Sequence, residues 1–167
     1  MGRLIVAFMR HGAYRQPSDV PSAHLPSPLI PQGESQAQEG AVLIRRIADE
    51  NHWQIHRVID CSTLLRGWQT AQALAESLNQ SQSTAIQIEQ YDSLAERGLG
   101  AAANLTIQEI EATIKEDPRF DELPSKWKSD SHFKLPLIGA ESLMEAGTRV
   151  AAHVLSRVSE MTLQESS

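Results

Sequence analysis

Arg10-His11-Gly12 sets a nucleophilic imidazole between a planar guanidinium and a residue without a side chain. A ring nitrogen of His11 can attack an electrophilic centre such as phosphorus. Arg10 offers a fork of donors suited to phosphate oxygens. Gly12 permits a tight turn in which backbone N–H groups approach an anion. Arg66, in Leu65-Arg66-Gly67-Trp68-Gln69-Thr70-Ala71, is a second guanidinium. Two arginines on one oxyanion make a clamp, each charge-assisted contact being worth about 1.5–3 kcal/mol. Glu96, in Leu94-Ala95-Glu96-Arg97-Gly98-Leu99-Gly100, is a carboxyl group in a glycine-flanked loop. Such a group can protonate a leaving oxygen. Singly, each residue has a plainer reading: a turn histidine, a solvated helix arginine, a surface ion.

The elements that must hold these residues alternate. Residues 4–8 (Leu-Ile-Val-Ala-Phe) form a continuous apolar run that predicts a buried strand ending at Arg10-His11. Residues 13–33 hold five of the eight prolines and predict a loop. Ala37, Ala41, Ile44 and Ala48, spaced by three or four, predict a helix over 32–51. A second strand is expected over 57–62, a helix over 65–78 and a short strand over 85–89. Thr106 with Glu109 is a capping box opening a helix to about residue 116, ahead of Pro118. Residues 120–137 are polar, with Pro124 and Pro136, and predict a loop or irregular helix. Ser142 with Glu145 is a second capping box, opening a helix to about residue 161. Strands alternating with helices predict an α/β fold with a mainly parallel sheet, whose ligands bind at the carboxyl ends of the strands. That is the rim where His11 and Arg66 are expected.

The whole chain, 1–167, is expected to be one domain. Fifteen Lys and Arg against twenty-one Asp and Glu leave a net charge of −6, which argues against nucleic acid and anionic lipid as partners. A single cysteine, Cys61, excludes an internal disulfide and a Cys-only metal site. The apolar run near the N-terminus is too short for a signal core or a membrane span, and Val6 stands where myristoylation wants Ser or Thr. The expected compartment is cytoplasmic. His52 and His56 have a metal-ligand spacing, yet it crosses a helix-to-strand junction without accompanying carboxylates, so no metal site is expected. Ser62 is not framed by a G-x-S-x-G elbow and is not expected to be a nucleophile.

In order and placement, these blocks resemble the histidine phosphatase superfamily, the group that includes the cofactor-dependent phosphoglycerate mutases. Arg10-His11-Gly12 resembles its signature. Pro28-Leu29-Ile30-Pro31-Gln32-Gly33 with Gln36-Ala37 is similar to its "PLTxxGxxQA" helix start, and Ser62 through Ala71 to "SxLxRAxQTA". Leu94 through Gly100 resembles "LxERxxG", and Gly139-Ala140-Glu141-Ser142 with Arg149-Val150 resembles "GES…RV". The resemblance implies a three-layer α/β/α sandwich. It also implies a phosphomonoester hydrolase in which His11 becomes a phosphohistidine and Glu96 is the proton donor. Arg10 and Arg66 would hold the phosphoryl oxygens, with Gly12, Arg15 and Arg97 as further substrate contacts. No metal or cofactor is required, because the arginines supply the positive charge. The implied partner is a small phosphorylated substrate or a phosphoprotein, with neither nucleic acid nor membrane, and a homodimer is compatible with it.

The match departs from the family in one block. The family carries a second pocket histidine on a strand after the "GES" helix, and these 167 residues contain no counterpart. His153 lies inside the helix and His132 ahead of it. The expectation is therefore either a C-terminally truncated sandwich or a short member of the family. Such a chain would be weakly active or inactive unless another chain completes it. The alternative function is then a pseudophosphatase, a module binding a phosphate ligand or a protein. Pro17 replaces an Asn that touches phosphate in relatives, and Leu99 replaces the mutase tyrosine. Phosphatase activity is accordingly expected in preference to mutase activity.

Overall fold

The computed structural model describes residues 3–21, 24–80 and 85–164, with the side chains of 162–164 excepted. The myristoylation reading at Met1-Gly2 lies outside them. The chain divides into two compact units, Met1–Arg15 with Pro26–Ala95, and Gln16–Leu25 with Glu96–Ser167.

The first unit carries α1 (Pro31–Asn51), β1 (Val58–Ser62), α2 (Leu65–Asn79) and β2 (Gln87–Tyr91). β1 and β2 are parallel, in a register running from Val58 opposite Gln87 to Ser62 opposite Tyr91, with α2 as the crossover. This is the expected parallel α/β unit. Its core joins Ala41 of α1 to Leu74, Ala75 and Leu78 of α2 and to Ile86, with Ile44, Ile55, Ile59 and Ile88 packed against them. The buried α1 face is built from Gly33, Ala37, Ala41 and Ala48, small residues among which Ala41 packs against α2. The helix ends at His52, in the left-handed region (φ 56°), whose amide donates to Ala48 and Asp49 carbonyls. His56 Nδ1 accepts the Val58 amide. The two histidines thus serve a helix end and a strand entry.

The expected strand over residues 4–8 is corrected. These residues form no ladder among the described residues, and Leu4, Ile5, Val6 and Phe8 are all exposed, Phe8 by 74%. Apolarity reports a side chain's preference for burial, but a strand also needs a neighbour for its backbone groups. The two-stranded sheet pairs β1 only with β2.

The N-cap of α1 is Ile30, in extended conformation, and its side chain makes no capping bond. Proline follows at the first helical position, where its missing N–H costs nothing. Ile30→Thr supplies a hydroxyl to an orphan amide of the first turn. The expected gain is about 0.5–1 kcal/mol, read as a rise in the urea midpoint with unchanged slope.

In the second unit, α3 (Ile107–Glu116) and α4 (Leu143–Gln164) frame a long irregular segment. Both capping boxes form. Thr106 Oγ1 accepts the Glu109 amide while the Glu109 carboxylate accepts the Thr106 amide, and Ser142 and Glu145 repeat the exchange. Leu99, Ala102, Ile110, Trp127, Leu135 and Ala140 make the core. The irregular segment is held by its aromatic and leucine side chains and by an isolated antiparallel bridge between Leu99 and Ala140. No helix among the described residues is long and apolar enough to cross a membrane.

Candidate active site

The first unit brings His11, Gly12 and Arg66 together. Arg66, in the first turn of α2, is fully buried, and its Nε–H donates to His11 Nε2 at 3.2 Å. His11 Nδ1 lies 2.9 Å from the Gly12 carbonyl oxygen. A guanidinium can only donate and a carbonyl can only accept, so one tautomer satisfies both contacts. The proton sits on Nδ1, and the lone pair of Nε2 faces the arginine. Tyr14 completes the group. Its ring stands edge-on to His11 (centroids 5.1 Å apart, planes at 85°), and the Arg66 guanidinium carbon lies 4.4 Å from its centroid. The ring face thus gives the buried cation a partner.

The loop carrying His11 and the segment facing it are held by five hydrogen bonds from their backbone amides. The Gly12 amide donates to Thr70 Oγ1 (3.1 Å), which donates in turn to the Arg66 carbonyl (2.7 Å). The Ala13 amide donates to Gln36 Oε1 and the Leu29 amide to Gln69 Oε1, both at 2.8 Å. The Ile30 amide meets the Ala13 carbonyl and the Arg15 amide the Pro28 carbonyl, each at 3.0 Å, around the Tyr14–Leu29 bridge. Gly12 also lies flat against Gly33 of α1: a Cβ on Gly12 would stand 2.7 Å from the Gly33 Cα. Gln36, Gln69 and Thr70 stand in the sequence blocks quoted above, and the structure gives them a role that sequence reasoning missed. Gln69 and Thr70 sit three and four residues after Arg66, which puts all three on one helix face. That spacing was a usable signal. Tyr14 had none.

Arg10 and Arg15 have exposed side chains, and no hydrogen bond joins either side chain to His11 or Arg66 among the described residues. Ser62 packs under the start of α2, where a Cβ on Gly67 would collide with its hydroxyl. Cys61 is buried, and burial with the Asp60 carboxylate pushes its thiol up to about 11, so it is a poor nucleophile.

In the second unit, Glu96 is exposed and Arg97 is buried. Burial holds the Arg97 guanidinium below its ordinary value, and the neighbouring Glu96 carboxylate opposes that shift. Glu141 pins the loop twice: its carboxylate accepts the Gly98 amide (3.0 Å) and its own amide donates to the Gly98 carbonyl (2.8 Å). Arg149 grips the same carboxylate through Nε (2.9 Å) and Nη2 (2.8 Å). That grip holds Glu141 below the usual carboxylate range and raises Arg149. Because the folded-state value of Glu141 is depressed, the clamp contributes fully above the ordinary carboxylate range and is lost on acidification below it. The "GES…RV" residues therefore hold the Glu96 loop, a role the sequence did not disclose. Among the described residues no group of three or more His, Cys, Asp or Glu is placed to hold a metal ion.

The family model for the histidine phosphatase superfamily (branch 1) matches residues 6–163. No curated protein matches the chain significantly. Among solved structures, a mycobacterial glucosyl-3-phosphoglycerate phosphatase is similar over 90% of this chain and 61% of its own, at 21% identity and a TM-score of 0.63. It has also been solved with inorganic phosphate and with VO3. A candidate α-ribazole-5′-P phosphatase from Escherichia coli is similar over 92% of this chain and 66% of its own, at 21% identity and a TM-score of 0.62. The chain spans about three fifths of the length of the first of these. The likeness places the fold, the match over residues 6–163 places the lineage, and the chain belongs to the histidine phosphatase superfamily.

Proposed function

We propose that this protein hydrolyses phosphate monoesters without a metal, through a phosphohistidine on His11 and with Glu96 as proton donor. The observation that carries the reading is the Nε2 lone pair of His11 facing the buried Arg66 guanidinium at 3.2 Å. A nucleophile and a cation are held against each other where a phosphoryl group would need both. On binding, the Arg66 N–H turns from Nε2 to a phosphoryl oxygen, which frees the lone pair and neutralises the oxygen's charge. Nε2 then attacks phosphorus, the bond to the leaving oxygen breaks, and Glu96 gives that oxygen a proton. A water next attacks the phosphohistidine and yields its proton to the Glu96 carboxylate. Inorganic phosphate leaves and both groups are restored. Arg10, Arg15 and Arg97 are the further substrate contacts in this reading. The relatives described as phosphatases, one of them solved with phosphate, support monoesters as the substrate class.

The test is turnover of p-nitrophenyl phosphate in EDTA, with rapid acid-free quenching to trap the intermediate. The expected result is metal-independent turnover and an acid-labile, alkali-stable phosphoryl group on the peptide containing His11. Phosphate binding without turnover would instead make the chain a ligand-binding module. A label on any other residue would overturn the role of His11.

A further inference from the structure

The peptide that carries Glu96 is held at its carbonyl by a residue outside the loop. His24 Nε2 lies 3.0 Å from the Glu96 carbonyl oxygen. The acceptor is a carbonyl, so Nε2 carries the proton and His24 donates. His24 is anchored in turn, its own amide donating to Asn104 Oδ1 at 2.9 Å, from a residue in the left-handed region (φ 70°). Its ring lies flush with the loop: a Cβ on Gly98 would stand 3.6 Å from His24 Cε1 and the same distance from Glu141 Oε2. The peptides of Glu96 and Gly98 are thus held by two residues remote in sequence, His24 at one and Glu141 at the other. Glu141 is itself fixed by Arg149. The side chain of Glu96 is exposed.

We infer that His24 is a positioning residue for Glu96, fixing the peptide from which the carboxyl group reaches the leaving oxygen. The inference rests on the reading of Glu96 as proton donor. A displacement of about 1 Å in a reacting group can cost on the order of 10²-fold in rate, so one lost tether has a measurable effect.

Leaving-group dependence separates this role from a merely structural one. p-Nitrophenolate departs with little need of a proton, whereas the alkoxide of glycerol 2-phosphate needs one. The full chain and its Glu96→Gln, His24→Ala and His24→Gln variants are assayed on both esters. Glu96→Gln should lower kcat on glycerol 2-phosphate about 10²-fold or more, and much less on the nitrophenyl ester. His24→Ala should give the same selective pattern at about tenfold, with KM for the nitrophenyl ester unchanged. His24→Gln, whose amide N–H can reach the same carbonyl, should recover most of the loss. Equal losses on both esters in His24→Ala, or no recovery in His24→Gln, would overturn the inference. Should His24→Ala fail to fold, Asn104→Ala, which releases His24 without removing its ring, must show the selective loss. An unselective Glu96→Gln would overturn the Glu96 reading itself, and an inactive parent chain would overturn both.

Discussion

His11→Ala should abolish the proposed turnover, lowering kcat/KM on p-nitrophenyl phosphate by about 10⁴-fold or more, while the protein remains folded. In the proposed reaction His11 has no understudy. Arg66, Tyr14, Thr70 and Gly12, its neighbours, offer no second imidazole, and the buried Cys61 thiol is held up to about 11. The loss to stability is small. His11 is half-buried, and its removal deletes one bond to the Gly12 carbonyl and one to Arg66. The loop keeps the four bonds it makes with Thr70, Gln36, Pro28 and the α1 entry. A decrease of about 1 kcal/mol is expected by urea unfolding, and phosphohistidine should be absent from the quenched variant. Residual activity within tenfold of the parent would remove His11 from the reaction.

Gly33→Ala should lower stability by about 3 kcal/mol. A Cβ at Gly33 would overlap the Ala13 carbonyl oxygen and lie 2.8 Å from the Ala13 nitrogen. These are backbone atoms, and they cannot swing aside as a side chain can. Either α1 lifts off or the peptide after Gly12 shifts, and the second response drags His11 with it. Activity should therefore fall together with the urea midpoint. Gly147 in α4 is the matched control, because nothing lies within 4 Å of a Cβ there. Gly147→Ala should gain up to about 1 kcal/mol from helix propensity alone. Equal behaviour of the two variants would show that the Gly12–Gly33 contact bears no strain.

The elements with a local signature were legible in the sequence. α1, α2 and both capping boxes follow from apolar spacing and Ser/Thr-x-x-Glu patterns, and α1 begins within one residue of its expected start. β1 and β2 were legible as short apolar runs between helices, although β2 begins at Gln87 instead of 85. His11, Gly12 and Arg66 were legible because a motif names both their types and their order. Residues 4–8 were misread because a strand is a relation between two segments, and hydropathy describes one. Tyr14, His24 and Asn104 escaped for the same reason. Each acts through a contact far from it in sequence, or through a left-handed backbone at a residue that usually avoids it.

The Tyr14–Leu29 bridge closes residues 16–27 into a loop tied off at its base, between the Arg15 amide and the Pro28 carbonyl. Within that stretch the Asp19 carbonyl accepts the Ile107 amide, Val20 is buried and the His24 amide donates to Asn104. Doubling the loop's length costs only about 0.6 kcal/mol of closure entropy. Insertions that leave Asp19, Val20 and His24 in place should therefore be tolerated. A lineage could vary the rest of this stretch while inheriting the same His11–Arg66 pair from one descendant to the next.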